Sequence, residues 1–309
     1  MTTVFSHTAC LGHNMGEGHP ERPARMDAVE QALQTEGLAG RLLRRDAERA
    51  TLDCIGLMHP QKYIEQIVAS VPSSGVTRLD ADTCLSPGSL EAALRAVGAA
   101  CSAVDEVIVG ESKNAFCAVR PPGHHAETNK AMGFCIFNTV AIAAAYARQK
   151  YGVERVAVID FDVHHGNGTQ EMFWSDQNFL FASTHQMPLY PGTGSKNERG
   201  EFDNIVNCPL IEGDGSSEFR AAISDVILPG LVTFQPDLLL VSAGFDAHMN
   251  DPLAGLNLQD DDYAWVTKQL LEIADKFTNG RLISTLEGGY DLSALSSSVA
   301  SHVEELLQV

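Results

Sequence analysis

Six short runs of apolar, often β-branched residues punctuate the chain, at 3–5, 115–119, 155–161, 179–183, 237–243 and 281–287. Their hydrophobicity is continuous rather than alternating, as expected of strands covered on both faces. Between them, helical periodicity predicts helices over 21–35, 59–70, 89–109, 138–151, 217–234, 260–278 and 291–308, with Pro23 near the start of the first. Strands that alternate with helices predict an α/β fold: a mostly parallel sheet with helices on both faces. Ligands of such sheets bind beyond the carboxyl ends of the strands, so the residues that follow each run carry the functional signal.

Five of those ends deliver similar chemistry. "RPPGHHAE" follows 115–119, "DFDVHHGNG" continues 155–159, "THQMPLYPGTG" follows 179–183, "FDAHMNDP" lies just beyond 237–243, and "GGYD" follows 281–287. Alternation along a strand places Asp160, Asp162 and His164 on one face, with Ile159, Phe161 and Val163 on the other. Asp162 and His164 then share an ion, and Asp246 is the third ligand from a neighbouring strand end. Two carboxylates and one imidazole suit Zn²⁺, with Fe²⁺, Mn²⁺ and Co²⁺ also compatible. Three protein ligands leave a position for water and substrate. Taken alone, "DFDVHHG" is equally a pair of capping acids with hydrogen-bonded histidines; Asp246 and the tandem histidines at other ends move the balance to metal.

His124 and His125 are adjacent at a turn stiffened by Pro121 and Pro122. They read as a proton-transfer pair beside an activated water, with Asp160 orienting one imidazole. Tyr290, carried by Gly288 and Gly289, reads as a hydrogen-bond donor to a developing oxyanion; alone, it is equally an ordinary interfacial tyrosine. No G-x-S-x-G elbow, G-x-G-x-x-G or Walker pattern occurs. The reading is metal-assisted hydrolysis of a carbonyl bond.

Composition narrows the setting. The 309 residues show no linker and no repeat, which predicts one domain, 1–309. A formal charge of −19 disfavours nucleic acid and attracts cationic substrates. Seven scattered cysteines without a C-x-x-C pair fit reduced thiols in the cytoplasm. The N-terminus lacks the pattern of a signal peptide, and the longest apolar run, "TVAIAAAYA", is too short to span a bilayer. No membrane partner is expected, and a homo-oligomer is compatible with the sequence.

"GHPERPARMDAV", "RPPGHHAE", "GFCIFNTVAIA", "DFDVHHGNGTQ", "SAGFDAHMNDPLAGLNL" and "LEGGYD" together resemble the zinc-dependent histone deacetylase and acetylpolyamine amidohydrolase family. The six motifs are collinear and cover nearly the whole chain. The resemblance implies the arginase-deacetylase α/β fold and hydrolysis of an N-acetyl amide to an amine and acetate. By position, Asp162, His164 and Asp246 match the zinc ligands, His124 and His125 the tandem histidines, and Tyr290 the oxyanion-stabilising tyrosine. Phe134 matches one aromatic wall of the slot for an acyl-lysine stem; Tyr190 matches the second, where the family more often has Phe. Gly133, Leu253 and Gly288 complete the implied substrate-binding set. The family also implies a structural K⁺, here held by Asp160, Asp162, His164, Ser183 and Thr184. Asn167, where class I members usually have Asp, makes the chain class II-like. Leu253 stands where acetylpolyamine-specialised members carry an acidic gatekeeper, which favours acetyl-lysine in peptides or proteins; Glu17 or Asp82 on entrance loops are other sources of negative charge. The alternatives are an acetylpolyamine deacetylase, a non-catalytic acyl-lysine-binding protein, and an arginase-like enzyme with two Mn²⁺, against which "GHH" and "GGY" argue.

Overall fold

The structure, a computed structural model, describes residues 1–308. Its strands are β1 (Thr2–Ser6), β2 (Leu43–Asp46), β3 (Thr77–Arg78), β4 (Cys84–Leu85), β5 (Asn114–Cys117), β6 (Val156–Asp160), β7 (Phe179–Gln186), β8 (Ile205–Leu210), β9 (Leu238–Ala243) and β10 (Leu282–Leu286). Its helices are α1 (Ala24–Leu33), α2 (Leu52–Ile55), α3 (Gln61–Ser70), α4 (Ser89–Val109), α5 (Thr139–Tyr151), α6 (Asn167–Phe173), α7 (Ser216–Ala222), α8 (Leu228–Phe234), α9 (Asp260–Phe277) and α10 (Leu292–Leu306). Eight strands form one sheet in the order β2-β1-β5-β10-β9-β6-β7-β8, and every neighbouring pair is parallel. β3 and β4 make a separate antiparallel pair.

The continuous hydrophobicity of the strands has a direct cause. Ala157, Ile159, Leu239, Val241 and Leu282 face one core with residues of α1, α9 and α10. Val156, Val158, Leu238, Leu240 and Ile283 face the other with α4 and α5. Alternate residues therefore enter different cores, and both must be apolar. Local chemistry fixes the helix ends. The Asn138 side chain accepts from the Ala141 N–H at 3.1 Å to cap α5, which ends at Gly152 with φ +67°. Asp291 caps α10 in the same way, accepting from Ala294 at 2.8 Å.

The structure differs from the sequence expectation in several places, α2 and the β3–β4 pair among them. β2 and β8 extend the sheet at its two edges; neither forms an apolar run. Residues 167–173, outside every expected helix, form α6. The helix expected over 217–234 is two α-helical segments joined by a π-helical turn, Ile223–Ile227. β6 stops at Asp160, so Asp162 and His164 stand on the connection beyond it rather than on the strand. No helix of the described residues is long and apolar enough to cross a membrane.

Candidate active site

Four adjacent strands, β5-β10-β9-β6, occupy the middle of the sheet, and the predicted residues gather at their carboxyl ends. Past β6 the chain turns on its own acid: Asp160 Oδ1 accepts the Asp162 N–H at 3.1 Å, and Asp162 Oδ1 accepts the His164 N–H at 2.9 Å. These bonds keep Asp162 and His164 together although the strand has ended. Asp246, beyond β9, completes the group. Ligand atoms of Asp162, His164 and Asp246 all lie within 4.8 Å of one another, and all three residues are buried. His164 Nδ1 is 3.2 Å from Asp162 Oδ1 and 3.1 Å from Asp246 Oδ2. The outer oxygens are oriented by backbone: the Gly288 N–H donates to Asp162 Oδ2 at 2.8 Å and the Val163 N–H to Asp246 Oδ1 at 2.9 Å. A Cβ at Gly244 would strike the Asp162 carboxylate, and one at Gly288 would strike both carboxylates.

This donor set fits a divalent cation. The carboxylates of Asp160, Asp162 and Asp246 form ion pairs only with imidazoles, and no Lys or Arg reaches them among the described residues. Burial resists their ionisation, while His124 and His164 hold Asp162 well below the usual carboxylate range. Burial also opposes the charged form of His164, but Asp162 and Asp246 outweigh it and carry that imidazole up to about 10. The cluster is thus short of positive charge.

The tandem histidines lie above it with different partners. His124 Nδ1 is 2.9 Å from Asp160 Oδ2, and its Nε2 is 3.8 Å from Asp162 Oδ2. His125 Nδ1 is 2.8 Å from Asn167 Oδ1. Asn167 donates its own Nδ2–H to Glu127 Oε1 at 2.8 Å, which turns its carbonyl toward His125. Burial disfavours both imidazolium ions. For His124 the charges of Asp160, Asp162 and Glu287 overcome burial and hold the pKa well above its ordinary value. For His125 burial wins, reinforced by His124 and His164, and the ring stays neutral.

The remaining predicted residues surround this centre. The Tyr290 ring packs edge-on against Phe134, with centroids 5.9 Å apart. Burial drives its phenol well above the usual pKa, so it remains a donor. Phe134 is held at φ +68° by two backbone bonds, its own N–H to Thr83 Oγ1 at 3.0 Å and that of Gly133 to Asp82 Oδ1 at 3.1 Å. A Cβ at Gly133 would enter the His125 ring. Tyr190 stands edge-on to His125 at 5.1 Å and to His164 at 6.3 Å, and its hydroxyl is buried without a partner among the described residues. Leu253 is half-buried and donates its N–H to Asp251. On the potassium side, Asp160 pairs in register with Ser183 across β6 and β7, while the Ser183 hydroxyl already meets His185 Nδ1 at 2.9 Å. Potassium at this place rests on the resemblance.

The histone deacetylase domain family matches residues 19–306. The chain belongs to that family. An uncharacterized protein of Synechocystis is 42% identical over 99% of this chain and 100% of its own length. Histone deacetylase 10, chloroplastic, of Oryza sativa subsp. japonica is 38% identical over 96% of this chain and 71% of its own. Among solved structures, the HDA15 HD domain superposes with a TM-score of 0.94 at 34% identity, over 99% of this chain and 88% of that one. The expected arginase-deacetylase fold, with its parallel central sheet, is therefore the fold of this chain, and the protein is a deacetylase-family hydrolase.

For this histone deacetylase family member, several buried charges went unread in the sequence. Glu287 accepts the N–H groups of Gly123 at 2.6 Å and His124 at 3.2 Å, anchoring the turn beneath the tandem histidines. Glu21, fully buried, is shared by Arg120 (Nε to Oε1, 2.6 Å) and Arg25 (Nη1 to Oε1, 3.3 Å). Arg25 also donates to the carbonyls of Gly289 at 2.7 Å and Glu287 at 2.5 Å, and lies over the Tyr290 ring. Asp251 supports Tyr290 from the opposite side. The available signal was charge within otherwise apolar or glycine-rich motifs, "HPERP" and "LEGGY" above all.

Proposed function

We propose that the chain is a Zn²⁺-dependent deacetylase that hydrolyses the acetyl, or a related acyl, amide on the side-chain amine of lysine in peptides or proteins. The observation that carries this reading is the buried Asp162–His164–Asp246 cluster lying beneath two histidines with unlike partners. Zn²⁺ held by those three residues supplies Lewis acidity toward the amide carbonyl and the attacking water; Fe²⁺ and Co²⁺ suit the same donors. His125 gives its Nδ1–H to Asn167, which leaves the Nε2 lone pair to take a proton from water as its oxygen attacks the carbonyl carbon. Tyr290 donates its phenol hydrogen bond to the oxygen that gains negative charge. The C–N bond then breaks and the proton returns to the departing amine, so amine and acetate form from amide and water. His124, kept cationic by Asp160, adds positive charge beside the same intermediate. Phe134 and Tyr190 flank the route of the acyl-lysine stem.

Leu253 at the rim offers no anion to a distant ammonium, which supports acetyl-lysine over an acetylated polyamine. A structural K⁺ beside Asp160 and a cytoplasmic location, in keeping with seven free thiols, belong to the same proposal. The test is the initial rate on an acetyl-lysine peptide and on an N-acetylated polyamine, with Tyr290→Phe alongside. Turnover of the peptide, reduced to a small residual rate in the variant, is expected. Turnover of the polyamine alone overturns the substrate class, and full activity of Tyr290→Phe overturns the role of the phenol.

A further inference from the structure

Tyr290 hangs from Gly288 and Gly289, the latter at φ +120°, a backbone with little preference of its own for where the phenol points. Two side chains tie that backbone from opposite sides. Arg25 takes the carbonyls of Glu287 and Gly289. Asp251 takes the N–H groups that follow: its Oδ2 accepts from Tyr290 at 2.7 Å and from Asp291 at 3.3 Å, while its Oδ1 accepts from Leu253 at 3.0 Å.

Asp251 is 7% exposed and makes no ion pair among the described residues. Burial pushes its carboxyl up to about 7, and the charge of Asp246 adds to the rise. A carboxylate is a costly acceptor in such a place. What it offers over an amide or hydroxyl is two acceptor oxygens in one plane, serving three N–H groups from two loops. One loop carries the third residue of the acidic cluster, Asp246, and the half-buried Leu253; the other carries Tyr290.

We propose that Asp251 is the positioning residue of Tyr290: it locks the diglycine so that the phenol oxygen is held over the carbonyl site, in register with the loop that carries Asp246 and Leu253. The inference rests on the reading of Tyr290 as the oxyanion donor. Asp251 itself touches no reacting atom and acts only through Tyr290.

Asp251→Asn keeps the shape and replaces one acceptor oxygen by a donor that faces an N–H. On an acetyl-lysine peptide, kcat is expected to fall roughly 10- to 100-fold, as for an ångström-scale misplacement of a reacting group, with KM changed less than about threefold and zinc content unchanged. In a Tyr290→Phe background the same substitution is expected to cost less than about threefold, because the oxygen it positions is already absent. A loss of equal size in both backgrounds, or a change confined to KM or zinc content, overturns the inference. Full activity of Tyr290→Phe alone defeats the assignment of the phenol instead, so the two failures are distinguishable. Should Asp251→Asn not fold, Asp251→Ser, which keeps one acceptor without the buried charge, goes through the same cycle against the same limits.

Discussion

Two groups of buried charges lie close together in this protein, and they are built on opposite principles. In one, Glu21 lies between Arg25 and Arg120, every charged atom meets a partner, and the remaining guanidinium N–H groups end on backbone carbonyls. In the other, Asp160, Asp162 and Asp246 face one another with only imidazoles between them. The first group is complete within the chain and fixes the loops after β1, after β5 and after β10. The second has an excess of anionic oxygen and, on the proposed reading, is completed by a cation from outside. Burial alone separates neither; the balance of charge does.

The largest expected effect breaks the second group. Asp162→Asn should remove bound zinc and cost several kcal/mol of transition-state stabilisation, on the order of 10³-fold or more in deacetylation rate, as read by metal analysis and initial rates. The metal-free variant should melt no lower than the metal-free parent, because one of several crowded anions is gone. Retention of zinc with full activity would erase the contrast between the groups. Next in size, Glu21→Gln strands two buried guanidinium groups and should lower the unfolding free energy by about 3–5 kcal/mol in urea, with or without zinc. A loss under about 1 kcal/mol would show that the first group is not balanced by Glu21.

The smallest effect concerns buried histidines outside both groups. His59 gives its Nδ1–H to the Thr128 carbonyl at 3.1 Å and accepts the Asn138 N–H at 3.0 Å. His302 lies between Thr267 and Ser284. Burial lowers His59 to about 4 and His302 to about 3. Because the unfolded chain binds these protons more readily, their contribution to stability is complete above pH 6.5. It declines as pH falls, until about 4 for His59 and about 3 for His302. Each group adds about 1.4 kcal/mol per pH unit to the slope inside its window. Urea unfolding of metal-free protein at pH 7 and pH 5.5 reads that slope, and His302→Gln should flatten it by about one group's share. An unchanged slope would mean that His302 binds protons alike in the folded and the unfolded chain.

The sheet interior was legible because its strands are apolar on both faces, and the candidate site because acids and histidines follow those strands. The edges were not. Leu43–Asp46 is mostly charged and becomes a strand only by pairing with β1, while Asn207 and Pro209 interrupt any strand pattern in Ile205–Leu210. The glycines of "HHGNG" gave no helical signal, yet they begin a helix. A Cβ at Gly166 would strike Asp160, and one at Gly168 the backbone of Ala126, so these glycines serve close approach rather than a turn. Glu21 meets Arg120 from 99 residues away, a separation that no local pattern encodes. Asp160 was expected to orient one tandem histidine; only the folded chain distinguishes His124, its partner, from His125, which faces Asn167.

The order of strands in the sheet also sets a timetable. β9 and β10 leave the ribosome after the other strands of this sheet, yet they wedge between β5 and β6, which are made earlier. Until both arrive, the turn that carries His124 and His125 meets the turn after β6 through side chains and loop backbone alone, with no strand paired between β5 and β6. Asp246 and the Gly288 N–H come with those same late strands. On the proposed reading, a growing chain has neither a complete ion cradle nor a donor for the oxyanion until β9 and β10 have been made, and its catalytic competence waits on them.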